Sequence, residues 1–184
     1  MSEGSEDQER LCPVSYYLGP IRLSPSPEER ISLEERRRGD FIHAVLSHVV
    51  FVGEDFKDTF RPIIREVCRV TREEYDEEEI AGLIAAILEA PEVKEYFEAK
   101  TGRTIKNEQS FSDREGRLFR MDRLVIDRDE ITVIDYKTGK ERGAETGHEA
   151  QMRNYIKILK EVYPGKAVSG ILAYVDLQES RRVP

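Results

Sequence analysis

The stretch RLFRMDRLVIDRDEITVIDYK, residues 117–137, decides the fold because it contains two strand-like segments joined by a polar turn. Residues 117–126 and 130–137 are rich in β-branched and aromatic side chains, which favour strands. The Asp-Arg-Asp-Glu run at their junction is typical of a tight turn. An even-length connection predicts that Asp122 lies directly opposite Asp135 in an antiparallel pair.

Lys137 lies two residues after Asp135, so it is predicted to project from the same face of the sheet. Two carboxylates at cross-strand distance, with Cβ atoms about 4.5–5.5 Å apart, repel each other unless one is protonated or a cation bridges them. The same predicted face carries Leu124 and Ile131, and a charge among apolar side chains is costly unless it is paired or metal-bound. The pattern indicates a cation site, and the alternative is an Asp–Lys surface pair at the end of a sheet.

Helical periodicity dominates the first half of the chain, and strand-like segments dominate the second. Residues 1–27 contain four prolines and no lasting period, which predicts an irregular arm. Helices are predicted over residues 28–52, 58–70, 76–90, a short stretch from Pro91 to near Gly102, and 145–163. Further strands are predicted over residues 103–111 and 167–176. Helices, a three-strand antiparallel meander, a crossover helix and a final strand together predict an α/β fold with a mixed sheet.

Four further residues are candidates for the same site. Glu108, on the strand next to the hairpin, could reach a cation bound there, or it could be a solvated strand residue. His43 shares an apolar helix stripe with Leu46, where a core histidine is the commoner explanation. Gln151 and Tyr155 are four residues apart on one helix face, which also suits a polar edge on a packing stripe.

The composition is that of a globular chain with the size of one ordinary domain, with 184 residues, 39% hydrophobic and 36% charged. Its two cysteines, Cys12 and Cys68, are far apart, which suggests a reducing cytoplasm and argues against an iron–sulfur cluster. Because no run of about 18 apolar residues occurs, no membrane association is expected.

The net charge of −8 speaks against a nucleic-acid binder, but its distribution is uneven. Residues 1–100 carry 13 basic and 23 acidic side chains, whereas residues 101–184 carry 16 and 14. Either charged helix faces dominate the first half, or the second half handles phosphate groups.

Five short motifs, taken together, resemble the RecB-type branch of the PD-(D/E)XK nuclease superfamily, which includes the nuclease domains of the RecBCD and AddAB helicase–nucleases. The motifs are Gly39-Asp-Phe-Ile-His43, Asn107-Glu108-Gln-Ser-Phe111, Met121-Asp122-Arg123, Ile134-Asp135-Tyr136-Lys137-Thr138-Gly139 and Gln151-Met-Arg-Asn-Tyr155. The resemblance covers roughly residues 37–177 and implies a restriction-endonuclease-like mixed sheet within a nuclease domain of residues 28–184. In that domain residues 28–100 would be helical, and residues 101–184 would form the catalytic sheet and helix.

The resemblance also implies a metal-dependent deoxyribonuclease, similar to exodeoxyribonuclease V. Glu108, Asp122 and Asp135, with the Tyr136 carbonyl and His43, would hold one or two Mg²⁺ or Mn²⁺ ions. Lys137 would act on the attacking water and the scissile phosphate. Two groups of supporting or DNA-binding residues follow: Gln151 and Tyr155 beside the site, and Arg120, Arg123, Lys140 and Arg142 as candidate phosphate contacts.

The expected partners are DNA, as single strands or ends, and a helicase domain or subunit, in DNA end processing and recombinational repair. The chain has no G-x-x-x-x-G-K-[ST] phosphate loop, so no nucleotide cofactor is expected. One alternative is a nuclease-like module that has lost catalysis and serves as a DNA-binding or assembly surface. Another is an acidic structural protein, which would leave the paired carboxylates unexplained.

Overall fold

The computed structural model describes residues 33–53, 56–112, 116–139 and 144–184. The predicted arm of residues 1–27 and the predicted helix start at residue 28 lie outside these ranges. The helices are α1 (Leu33–Ser47), α2 (Phe56–Thr71), α3 (Glu77–Glu89), α4 (Pro91–Lys94) and α5 (Glu145–Val162), and a single 3-10 turn follows α4 at Glu95–Phe97. The strands are β1 (Thr104–Ser112), β2 (Leu118–Ile126), β3 (Glu130–Lys137), β4 (Ala167–Tyr174) and β5 (Glu179–Val183).

The start of α3 shows how local sequence sets an element boundary. The Asp76 side chain accepts hydrogen bonds from the amides of Glu78 and Glu79, at 2.8 and 3.1 Å. These bonds satisfy two amides that have no partner within the helix. Glu77–Glu79 in the first turn suits the helix dipole, so capping and charge agree on this start.

The five strands form one mixed sheet in the order β1-β2-β3-β4-β5. Strands β1, β2 and β3 make an antiparallel meander, and β4 joins β3 in parallel after the crossover through α5. This arrangement confirms the predicted fold class. It also places the carboxyl end of β3 beside that of β4, where parallel neighbours commonly carry functional groups.

Strand β5 is absent from the sequence prediction. Its residues, Glu-Ser-Arg-Arg-Val, are mostly polar, and Val183 is the one fully buried side chain among them. The strand pairs antiparallel with β4 and lies at the edge of the sheet. An edge strand with charged side chains lacks the apolar alternation on which sequence prediction depends.

The β2–β3 hairpin has the predicted register but a shorter ladder. Pairs run from Ile126↔Ile131 to Arg123↔Ile134, as the even-length turn requires. At the next position, where Asp122 would face Asp135, the amide of Tyr136 donates instead to Asp122 Oδ2 at 2.8 Å. A side chain therefore takes the place of a backbone partner where the pairing ends.

Apolar side chains fill both faces of the sheet. On one face, Val125, Ile134 and Ile171 pack with residues of α1 to α4. On the other face, Leu124, Val133 and Leu172 pack under α5. The contact with α5 is close, since a Cβ at Gly170 would lie 2.2 Å from Met152 Sδ. None of the helices in the described ranges is both long and apolar enough to span a bilayer.

Arg123, predicted to contact DNA phosphates, is instead a fully buried residue of the fold. Its guanidinium lies 3.8 Å from the ring centroid of Phe97 and donates to the carbonyls of Val49, Val50 and Tyr96 at 2.7, 2.6 and 3.0 Å. Burial lowers its pKa. The prediction for Arg123 was wrong because its side chain closes a gap between β2 and the segment after α1, away from solvent.

We expect Arg123→Met to lower the free energy of unfolding by about 2–5 kcal/mol, because the buried carbonyls of Val49 and Tyr96 lose a charged donor while the apolar volume is kept. Urea denaturation followed by circular dichroism measures the change. Arg128→Met, at an exposed turn position, is the matched control and should stay within about 0.5 kcal/mol of the parent. A loss below about 1 kcal/mol in Arg123→Met would contradict the structural role.

Candidate active site

The alternation of side chains along β2 breaks at Asp122. Met121 and Leu124 are three residues apart, yet both pack in the apolar cluster under α5. In a regular strand, residues three apart face opposite sides. Asp122 therefore does not continue the apolar face of Leu124, as the strand pattern predicted, and its carboxylate lies against His43 of α1.

Glu108 has an unusual backbone conformation directly across from Asp122. Its φ is +52°, and the described register passes from Asn107↔Arg123 to Gln109↔Met121 around it. A left-handed conformation at a residue other than glycine costs on the order of 1–3 kcal/mol and persists where its surroundings enforce it. Such strain is concentrated at functional sites, and here it lies at a carboxylate beside two other potential ligands.

His43, Glu108 and Asp122 come together although they belong to three different elements. His43 Nδ1 lies 3.4 Å from Asp122 Oδ1. One ligand atom from each of the three residues lies within 4.8 Å of the others. The structure thus places the ring of His43 at the carboxylates rather than in the apolar core.

Burial and mutual charge set the protonation of this group. Burial raises the pKa of Glu108, although the charge of Arg120 opposes that rise. Burial also raises the pKa of Asp135, against the opposing charge of Lys137. Burial would lower the pKa of His43, but its hydrogen bond to Asp122 and the nearby carboxylate charges raise the pKa overall. The site therefore favours additional positive charge.

The buried Asp135 forms an ion pair with the partly exposed Lys137 next to this group. Lys137 Nζ lies 2.7 Å from Asp135 Oδ2, yet that oxygen is buried and receives no hydrogen bond. The 2.7 Å separation is a charge contact, and the charge of Lys137 opposes the rise in the pKa of Asp135. An unsatisfied carboxylate oxygen at this depth is costly unless another positive group approaches it.

A directed chain of hydrogen bonds holds Lys137. Its ammonium donates to Gln151 Oε1 at 2.8 Å, and Gln151 Nε2 donates to the Tyr155 hydroxyl at 2.6 Å. Tyr155 donates in turn to the carbonyl of Arg120 at 3.1 Å. Burial raises the pKa of Tyr155 to about 12, so the phenol keeps its proton at neutral pH and remains a donor. Two residues one turn apart on α5 thereby join β2 to β3.

Close contacts fix α1 against the loop that follows β3. A Cβ at Gly39 would lie 2.7 Å from Thr138 Oγ1, so a larger residue here would force Thr138 or the helix to shift. The amide of Gly139 donates to Asp176 Oδ2 at 2.7 Å, and Asp176 Oδ1 lies 2.7 Å from a guanidinium nitrogen of Arg38. Sequence reasoning missed Asp176, whose only signal is a carboxylate just after a buried strand.

The convergent group, the Asp135–Lys137 pair and the hydrogen-bond chain from α5 line one pocket of about 740 Å³. The lining residues are Asp40, His43, Ala44, Ser47, Glu108, Arg120, Asp122, Asp135, Lys137, Gln151 and Tyr155. Seven of them are sequence-predicted site residues, and an eighth, Arg120, is a predicted phosphate contact. Sequence reasoning missed Asp40, Ala44 and Ser47. The helical spacing of Asp40 and Ser47 about His43 would have indicated their shared face.

The remaining predicted residues have different positions. Arg120 is largely exposed, and its Nε lies 2.7 Å from Glu108 Oε2. The amide of Tyr136 faces Asp122, which brings this peptide segment next to the site. Arg123 is buried away from the pocket, as described above. Lys140 and Arg142 lie outside the described residues.

The donor set suits a hard divalent cation. Two carboxylates and an imidazole converge within ligand range, and a third carboxylate with an unsatisfied oxygen lines the same pocket. Carboxylate oxygens are preferred by Mg²⁺ and Mn²⁺, and imidazole is a common ligand of transition metals. Asp135 was predicted as a ligand, but it lies outside the convergent group of three and contacts Lys137.

Comparison with known protein families gives an independent result. The family model of the PD-(D/E)XK nuclease superfamily matches residues 8–184. A comparison with curated proteins found no match. The family match covers nearly the whole chain, and the described residues form a mixed sheet with carboxylates and a lysine at one pocket. The chain therefore belongs to the PD-(D/E)XK nuclease superfamily.

Proposed function

We propose that this chain is a Mg²⁺-dependent deoxyribonuclease module, of the RecB type, that acts on DNA single strands or ends. The main support is the convergence of His43, Glu108 and Asp122 within 4.8 Å. Asp135 and Lys137 line the same pocket, so ligands, a buried carboxylate and a cationic group face one space. The reaction is hydrolysis, in which a water oxygen attacks phosphorus and the bond from phosphorus to a sugar oxygen breaks.

The metal-binding residues and Lys137 have distinct roles in this proposal. Glu108, Asp122 and His43 hold the cation, with Asp135 and the Tyr136 carbonyl as further oxygen donors. When bound, the divalent ion lowers the pKa of a nearby water and offsets the charge of the scissile phosphate. Lys137 orients that water and stabilises charge that develops on the phosphate oxygens.

The hydrogen-bond chain from α5 supports the assigned role of Lys137. Gln151 accepts from the ammonium and Tyr155 holds Gln151, so the lysine is fixed by two neighbours as well as by Asp135. A fixed cation contributes more to a transition state than a mobile one, because it need not be ordered during the reaction. The placement of Gln151 and Tyr155 favours a role in positioning Lys137 rather than in metal binding.

A helicase partner and a role in DNA end processing follow from the resemblance of the motifs to RecB-type nucleases. The net charge of the chain is consistent with a need for a helicase that delivers the DNA strand. With a net charge of −8, the chain attracts DNA poorly at long range. A motor that feeds a strand into the pocket would raise the local strand concentration without any new contact in the nuclease.

We expect Mn²⁺ to bind the intact chain and to bind Asp122→Asn at least about tenfold more weakly, because a charged ligand becomes neutral. Isothermal titration calorimetry measures both affinities. Asp129→Asn removes an exposed carboxylate at the β2–β3 turn and serves as the matched control, with unchanged affinity. Equal binding by Asp122→Asn and the parent would remove the proposed metal site.

We expect Lys137→Met to keep Mn²⁺ affinity within about threefold and to lower cleavage by about 10²–10³, as expected for the loss of one group that stabilises the transition state. Cleavage of an end-labelled oligonucleotide is followed by gel electrophoresis, and metal binding by calorimetry. Cleavage by Lys137→Met at the parental rate would contradict the role of the lysine. If the parent binds metal and DNA but does not cut, the alternative of an inactive assembly module is favoured.

The isolated chain should cut single strands faster than duplex DNA and should lose most activity between about 50 and 200 mM salt, because few of its groups can neutralise phosphates. Adding or fusing the cognate helicase should increase turnover strongly under both conditions. Turnover is compared on single-stranded, duplex and closed circular DNA. Rapid, salt-insensitive cutting of closed circular duplex by the chain alone would instead indicate an autonomous endonuclease.

A further inference from the structure

Arg120 occupies one of the carboxylates that the proposed function assigns to the metal. Its Nε lies 2.7 Å from Glu108 Oε2, while Glu108 also belongs to the convergent group with His43 and Asp122. The arginine is thus bound, through Glu108, to the group that would receive the cation. A guanidinium and a divalent ion at one carboxylate repel each other at such distances.

The backbone of Arg120 is fixed, whereas its side chain is not enclosed. Its carbonyl accepts the Tyr155 hydroxyl at 3.1 Å, and Arg120 pairs with Ser110 in the β1–β2 ladder. Its side chain, in contrast, is 66% exposed, against 30% for Glu108. The guanidinium can therefore leave Glu108 by side-chain rotation alone, with no change in the strand.

Arg120 lines the pocket in which the proposed function places the scissile strand. Arg120 and Lys137 both line it, and the two residues are connected through Gln151 and Tyr155. In the proposed function Lys137, held by Asp135 and Gln151, serves the scissile phosphate, so a neighbouring phosphate of the strand needs another cation. An arginine fork suits phosphate oxygens, and Arg120 is well placed to provide it.

We propose that Arg120 exchanges partners between Glu108 and a DNA phosphate, so that metal and DNA bind cooperatively. This inference rests on the proposed function of the pocket. In the metal-free protein, Arg120 neutralises Glu108 in place of the cation. The arriving cation displaces the guanidinium, which then binds a phosphate of the strand next to the cleavage position. Because coupling is reciprocal, a bound strand that holds Arg120 also frees Glu108 for the metal.

A different role for Arg120 makes the opposite prediction. Glu108 has two carboxylate oxygens, and Arg120 could hold one of them while the other binds the metal. In that case Arg120 orients a ligand, and its removal weakens metal binding. In the exchange, Arg120 competes with the metal, and its removal strengthens metal binding. The sign of the change in affinity therefore separates the two roles.

The experiment measures Mn²⁺ affinity by calorimetry in a Lys137→Met background, in which cleavage is not expected to consume the DNA. The full chain with Lys137→Met is the parent in this experiment, and Arg120→Gln and the control Arg128→Gln are added to it. Each of the three proteins is titrated with and without a saturating single-stranded oligothymidylate. Arg128 is exposed at the β2–β3 turn and is not among the residues that line the pocket. Arg128→Gln therefore removes the same charge as Arg120→Gln without changing the pocket.

Without DNA, Arg120→Gln should bind Mn²⁺ at least about threefold more tightly than the parent, while Arg128→Gln stays unchanged. With DNA, the affinity of the parent should rise by about fivefold or more, within the usual range of coupling between sites, and that of Arg120→Gln should rise much less. Equal or weaker Mn²⁺ binding by Arg120→Gln without DNA would overturn the exchange. Absence of Mn²⁺ binding in every protein, including the parent, would instead refute the proposed function.

Discussion

The hydrogen bond from the Tyr136 amide to Asp122 Oδ2 is the interaction on which the candidate site depends. It lies where the β2–β3 ladder ends, and it replaces a backbone partner by a carboxylate. Because the ladder does not continue, the two strands present Asp122 and Asp135 separately rather than as a facing pair. Asp122 is left beside His43, and Asp135 beside Lys137. One local departure from regular pairing thus creates two neighbouring positions with different chemistry.

The elements were predictable from the sequence wherever local pattern and tertiary packing agree. The hairpin register follows from the turn length, and the mixed sheet follows from the order of strands and helices. The break in alternation at Asp122 was not predictable, because it coincides with Glu108 in a left-handed conformation across from Asp122. A glutamate in the sequence does not indicate a positive φ, because residues other than glycine rarely adopt one. The same limit applies to β5, whose pairing with β4 compensates for a polar sequence.

Arg120 and Arg123 show how side chains of one type diverge within a single strand. They are three residues apart, and each looks like a phosphate contact in the sequence. Arg123 is fully buried because the carbonyls of Val49, Val50 and Tyr96 accept its hydrogens. Those acceptors come from segments far away in the chain, so their arrangement is a property of the fold alone. Arg120 lies beyond the break in alternation and reaches the pocket through Glu108.

Helix α1 is attached to the rest of the structure at its middle and at its end. At its middle, Gly39 packs against Thr138 and Arg38 pairs with Asp176. At its far end, the side-chain Nδ2 of Asn107 donates to the Ser47 carbonyl at 2.7 Å. His43 lies between these two attachments, one turn of helix from each. The backbone of His43 is therefore already in place beside the carboxylates, and the backbone part of the entropic cost of ordering this ligand is met during folding rather than when a cation arrives.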